Sequence, residues 1–96
     1  MTGTTRSSHD LDPRRRKLLF RSWHRGMRET DLILGSFADA RIDALTEAEL
    51  DQYEGLLDIP DTVLLPSITG EQPVPDRLQS EILQKIVAFR QAMTFR

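Results

Sequence analysis

The sequence predicts an all-α fold, a compact bundle of four to five short helices around one core. Two observations carry that reading: apolar residues recur at spacings of three and four along separate stretches, and those stretches open on helix-start signals. A third supports it, since no stretch alternates apolar and polar residues as a half-buried strand would, and no heptad run is long enough for a coiled coil.

The first helix starts at Asp12-Pro13, an N-cap followed by proline at the first helical position, where a missing N–H costs nothing. It runs to Trp23 or His24, with Leu19 and Trp23 on one face and arginines around the rest. Gly26 then supplies a left-handed stop. A second helix begins between residues 27 and 30, with Glu29 and Asp31 in its first turn, the favourable end of the dipole for carboxylates. Leu32, Ile33, Leu34, Phe37, Ala38 and Ile42 form its apolar stripe. Gly35 weakens it by about 1 kcal/mol relative to Ala unless packing needs the small residue. Thr46-Glu47-Ala48-Glu49 is a capping box, and Leu45 with Leu50 makes the matching hydrophobic staple of a third helix ending near Asp58. Residues 61–65 are expected to form a short helix that Pro66 cuts off. Gly70, Pro73 and Pro75 read as loop, and Asp76 is expected to cap the last helix, which carries Leu78, Ile82, Ile86, Phe89 and Met93. Residues 1–12 are read as a flexible tail and residues 13–94 as one helical domain.

Composition narrows the function. Ninety-six residues fit one domain, and with no cysteine there is no disulfide framework, thiolate metal site or Cys nucleophile. Apolar runs such as 32–34 and 63–65 fall far short of a membrane span, and the polar first ten residues lack a secretory signal. The net charge of −2 hides an asymmetry: residues 13–28 hold seven bases and no acid, whereas residues 29–81 hold thirteen acids and two bases. Opposite signs in successive segments suggest a basic face and an acidic partner for it.

The string Arg25-Gly26-Met27-Arg28-Glu29-Thr30-Asp31-Leu32 joins the first two helices. Arginine offers a planar, multi-donor group suited to carboxylates and carbonyls, and glycine permits both a sharp turn and close backbone approach. By spacing alone the string reads first as a C-terminal stop glycine with solvated charges and a dipole-compensating Glu29, and only second as a contact site. His24 stands beside it without a second histidine or cysteine nearby, so it belongs to the contact surface or the helix end rather than to catalysis or metal binding. No serine has a G-x-S-x-G setting, and no G-x-G-x-x-G phosphate cradle is present. Asp39, Asp43, Glu47, Asp51 and Glu54 read as a solvated acidic face. Phe20 and Trp23 among bases admit a nucleic-acid surface as the alternative, but the second helix carries four acids against Arg28 and Arg41, a field that repels phosphate.

R-G-M-R-E-x-D-L, followed by L-G-x-F and by L-T-E-A-E-L, resembles the succinate dehydrogenase flavinylation (FAD assembly) factor family. The resemblance spans about residues 16–92, with its R-G-x-x-E signature on Arg25, Gly26 and Glu29. It departs from the family in the fourth segment, Ile59-Pro60-Asp61-Thr62-Val63-Leu64-Leu65-Pro66, which lacks the family's Trp-Leu pair. The resemblance implies a five-helix factor that is not itself an enzyme. Such a factor binds the flavoprotein subunit of succinate dehydrogenase or fumarate reductase, promotes its covalent FAD attachment, and holds no cofactor stably. It further implies a partner-binding site of His24, Arg25, Gly26, Met27, Arg28, Glu29 and Asp31, with Arg25 and Arg28 on polar groups of the flavoprotein. Neither nucleic acid nor membrane insertion enters that picture. The free chain is expected to be a monomer, in the cytoplasm of a bacterium or the mitochondrial matrix of a eukaryote.

Overall fold

Asp12 caps the first helix as its position foretells, its carboxylate accepting the Arg15 backbone N–H at 3.2 Å with Pro13 at the first helical position. The computed structural model describes residues 10–93, so most of the expected tail lies outside the described residues. Leu11, read as part of that tail, is instead buried with the core. Five helices follow: α1 (Pro13–Trp23), α2 (Arg28–Arg41), α3 (Glu47–Leu57), α4 (Asp61–Thr69) and α5 (Glu81–Ala92). Short 3₁₀ turns occupy Ile42–Ala44 and Asp76–Leu78. α1 packs against α2 and α3, and α5 lies across α2, α3 and α4.

The capping box of α3 is complete. Glu49 N–H donates to Thr46 Oγ1 at 3.1 Å, and Thr46 N–H donates to Glu49 Oε1 at 3.0 Å, while Leu45 and Leu50 are both buried as a staple requires. In α2, Ile33, Leu34, Phe37 and Ala38 are buried and Leu32 is half-buried. Gly35 is there for packing: a Cβ at that position would lie 2.2 Å from Trp23 Cδ2. Trp23 therefore belongs to the core, and its indole N–H reaches Asp39 at 3.2 Å. Tyr53 of α3 is fully buried, its hydroxyl 2.5 Å from Ser22 Oγ, which in turn donates to the Leu18 carbonyl at 2.8 Å. That polar thread pins α1 to α3 through an otherwise apolar interior.

Two expectations are corrected. Pro66 does not cut α4 off after residue 65; the helix continues to Thr69 and stops at Gly70, which takes φ +86°. An interior proline costs about 3 kcal/mol. Here it removes one hydrogen bond, to the carbonyl of the exposed Thr62. Against that, α4 buries Leu64, Leu65 and Ile68, each contributing about 1.5–3 kcal/mol, so packing wins. Asp76 does not cap α5 either. It opens the 3₁₀ turn that buries Leu78, and Ser80 caps α5 by accepting the Leu83 N–H at 3.1 Å.

Candidate docking corner

Between α1 and α2 the chain turns within a few residues. His24 ends α1, Gly26 takes φ +100°, and Met27 precedes the first residue of α2 without a side-chain cap. A φ of that sign is readily available only to glycine, and nothing lies within 4 Å of where a Cβ would stand. The left-handed stop is thus real and its surface open. His24, Gly26, Met27, Arg28 and Glu29 are all exposed. Among the described residues, neither Arg28 nor Glu29 has a side-chain partner, so the corner presents one uncompensated cation and one uncompensated anion.

Arg25 and Asp31 behave differently. The Asp31 carboxylate accepts the Arg25 backbone N–H at 2.8 Å, closing the turn. The Arg25 guanidinium points inward with 10% of its side chain exposed. It donates to the Ile59 carbonyl at 2.5 Å, to Asp61 Oδ1 at 2.7 and 2.9 Å, and to the Leu57 carbonyl. The sequence reading has this guanidinium reaching a partner; in the fold it is fully engaged within the chain. Its physical reason is satisfaction of the carbonyls of Leu57 at the end of α3 and of Ile59 just beyond it, and of a carboxylate that is itself only 11% exposed. Arg25 therefore sets the corner's shape. Thr30 also faces inward, fully buried.

The expected basic face is corrected in the same way. Arg14 pairs with Glu47, Asp51 and Glu54 of α3 at 2.6–3.2 Å, and Arg21 pairs with Asp58 at 2.8 Å. Arg15 donates to Asp12 at 2.8 Å and to the Ile42 and Leu45 carbonyls at 2.9 and 2.5 Å. The opposite charges of the two segments thus meet inside one molecule, and most of the supposed solvated acidic face is α3's side of that contact. Exposed pairs of this kind are worth about 0–1 kcal/mol each, so they orient α1 on α3 more than they hold it. Arg16, Lys17 and Arg28 remain outside this pairing among the described residues.

Sequence reasoning placed Met27 at the corner but did not join Phe20 to it. Phe20 is 62% exposed and Met27 39%, the two large apolar side chains left in solvent among the described residues. The Phe20 ring stacks on His24 at 3.9 Å between centroids and 17° between planes. A carbonyl only accepts, so the 2.7 Å contact of His24 Nδ1 with the Phe20 oxygen places the proton on Nδ1 and leaves Nε2 for a partner. The signal was available: Phe20 lies off the Leu18, Leu19, Ser22, Trp23 stripe that α1 buries.

Nothing at the corner suits a metal, and among the described residues no group of three or more His, Asp or Glu is placed to hold one. A surface hollow of about 420 Å³ lies elsewhere, between Phe37, Arg41, Leu45, Lys85 and Phe89, and none of its lining residues falls between 24 and 31. No described helix is long and apolar enough to cross a membrane.

A model of the family described as "Flavinator of succinate dehydrogenase" matches residues 16–90. The chain is 38% identical over 78 residues to the FAD assembly factor SdhE of Acetobacter pasteurianus, covering 81% of this chain and 72% of that protein. It is similar also to the mitochondrial succinate dehydrogenase assembly factor 2 of Dictyostelium discoideum, 40% identical over 80% of this chain and 55% of that one. The corresponding protein of Candida glabrata is 38% identical over 88% of this chain and 58% of its own length. The chain thus spans little more than half of these mitochondrial relatives. No solved structure gives a significant match.

Proposed function

The chain belongs to the family of flavinators of succinate dehydrogenase, and from that premise we propose that it is an assembly factor that binds a flavoprotein subunit and promotes covalent attachment of FAD to it. The observation that carries this reading is the open corner at Gly26, a left-handed glycine with free space above it between exposed Met27, Arg28, Glu29 and His24. A side chain at residue 26 would hold a partner's backbone off; its absence lets the two chains approach closely. Arg28 and Glu29 supply opposite charges to the same contact, which fixes orientation as well as affinity.

On this reading the factor performs no bond chemistry of its own. The linkage forms within the flavoprotein, and the factor binds the attachment-competent conformer better than others, raising its population. The size of that effect follows from differential affinity: each 1.4 kcal/mol of preference shifts the ratio tenfold. The client is the flavoprotein of succinate dehydrogenase, with that of fumarate reductase as a second client through the same corner. The free factor is a monomer that holds FAD only through its client.

The test is deletion of the gene followed by measurement of covalent flavin fluorescence of the client subunit in a denaturing gel. Loss of the signal, restored by the wild-type chain, is expected. Undiminished fluorescence in the deletion strain overturns the proposal.

A further inference from the structure

We propose that the docking surface extends from the corner along the outer face of α1, through His24, Phe20, Lys17 and Arg16, and that it receives an acidic patch with an apolar centre on the flavoprotein, Phe20 being its anchor. This rests on the function proposed above and adds the chemistry of the partner's side. Arg16 and Phe20 stand four residues apart on one face of α1, His24 at the C-cap stacks on Phe20, and Met27 and Arg28 follow in the chain just after the turn at Gly26.

Charge sorting identifies this face. Arg14, Arg15, Arg21 and Arg25 are all engaged by carboxylates and carbonyls of the same chain. Arg16, Lys17 and Arg28 find no side-chain partner among the described residues; Arg16 and Lys17 stand four and three residues before the exposed Phe20 on α1, and Arg28 is next to the exposed Met27. A partner that buries the two apolar groups must meet three uncompensated cations around them, which selects an acidic rim about an apolar socket. Phe20 has the character of an anchor because its ring is already held: His24 stacks beneath it and bonds its carbonyl. Exposed, pre-set aromatics of this kind dominate interfaces. A protein is favoured over nucleic acid on two counts. The exposed, unpartnered Glu29 beside Arg28 calls for a positive group on the partner, which a protein surface can place within an acidic rim and a polyphosphate cannot, and one face of the Phe20 ring is occupied by His24, unlike an open base-stacking platform.

The experiment titrates the purified flavoprotein subunit with the wild-type chain, with Phe20→Ala and with the double variant Arg16→Glu/Lys17→Glu, at low and moderate salt. Far-ultraviolet circular dichroism and emission of the buried Trp23 confirm each fold. Phe20→Ala is expected to weaken binding about thirtyfold. The charge reversal is expected to weaken it about tenfold and to flatten its salt dependence. Wild-type affinity in both folded variants overturns the extension and leaves the corner standing. Failure of the wild-type chain itself to bind removes the functional reading and this inference together. Tight binding of random duplex DNA that the same variants abolish assigns the face to nucleic acid instead.

Discussion

Arg25→Ala separates a residue that shapes the corner from one that touches the partner. The variant removes a guanidinium with 10% of its side chain exposed and strands the Asp61 carboxylate, 11% exposed, together with the carbonyls of Leu57 and Ile59. Removing one partner of a buried pair costs about 3–5 kcal/mol because an uncompensated charge stays behind. Both groups are well under one-third exposed, so solvent screening takes little from that figure. For a domain of this size each 1 kcal/mol lowers Tm by about 4–8 °C, so a fall of at least about 12 °C is expected. Urea denaturation followed by Trp23 emission gives the free energy directly. Asp61→Ala alone should cost a comparable amount, and the double variant much less than the sum, with a coupling energy above about 2 kcal/mol. Arg25→Lys should recover only part, since an ammonium lacks the fork that serves three acceptors. A loss below about 1 kcal/mol for Arg25→Ala, with no coupling to Asp61, refutes the inward assignment and returns Arg25 to the docking face.

Gly26→Arg should stay folded with a stability loss of about 1–3 kcal/mol from positive φ alone, because the space above residue 26 is empty, yet should lose flavoprotein binding in a pull-down; retained binding contradicts the docking role. Gly35→Ala should cost about 2 kcal/mol, since overpacking against the indole 2.2 Å away outweighs the gain in helix propensity, and Trp23 emission should shift to the red; a stabilised variant contradicts the packing account. The Lys85 ammonium, and then the Thr46 N–H, hold the Glu49 carboxyl below its ordinary value of 4.5. A lowered folded value means this stabilisation is full above the unfolded value and fades as pH falls through the folded one. The difference between wild type and Glu49→Gln should therefore be below about 1 kcal/mol at neutral pH, given that Lys85 is 54% exposed, and should shrink in acid. A gap that widens below pH ~4 has the wrong sign for this account.

Local signals carried most of the fold. Asp12-Pro13, the Thr46 box and Gly26 declare their positions because capping and left-handed turns depend on residues within one turn of each other. Pro66 misled because its local cost is overridden by burial of Leu64, Leu65 and Ile68, a gain that exists only once α5 is in place. Asp76 and Ser80 are both capable caps, and the choice fell to Ser80 because Leu78 reaches the core from a separate turn. The site divides the same way. Gly26, Met27, Arg28 and Glu29 were legible as an exposed corner. The inward course of Arg25 was not, since its acceptors lie 32–36 residues away. The charge asymmetry was visible but ambiguous: a sequence shows that two segments attract, not whether they meet in one molecule or two.

The Arg25 anchorage has a consequence for association kinetics and affinity. A loop that must be ordered when a partner arrives loses conformational entropy at that step, on the order of 1–2 kcal/mol for each backbone residue fixed. Here the turn is closed before any partner arrives, by the Arg25–Asp31 hydrogen bond across it and by the hold of the Arg25 guanidinium on the α3–α4 connection. The ordering penalty is met during folding, so the encounter complex matures without a slow rearrangement of this turn.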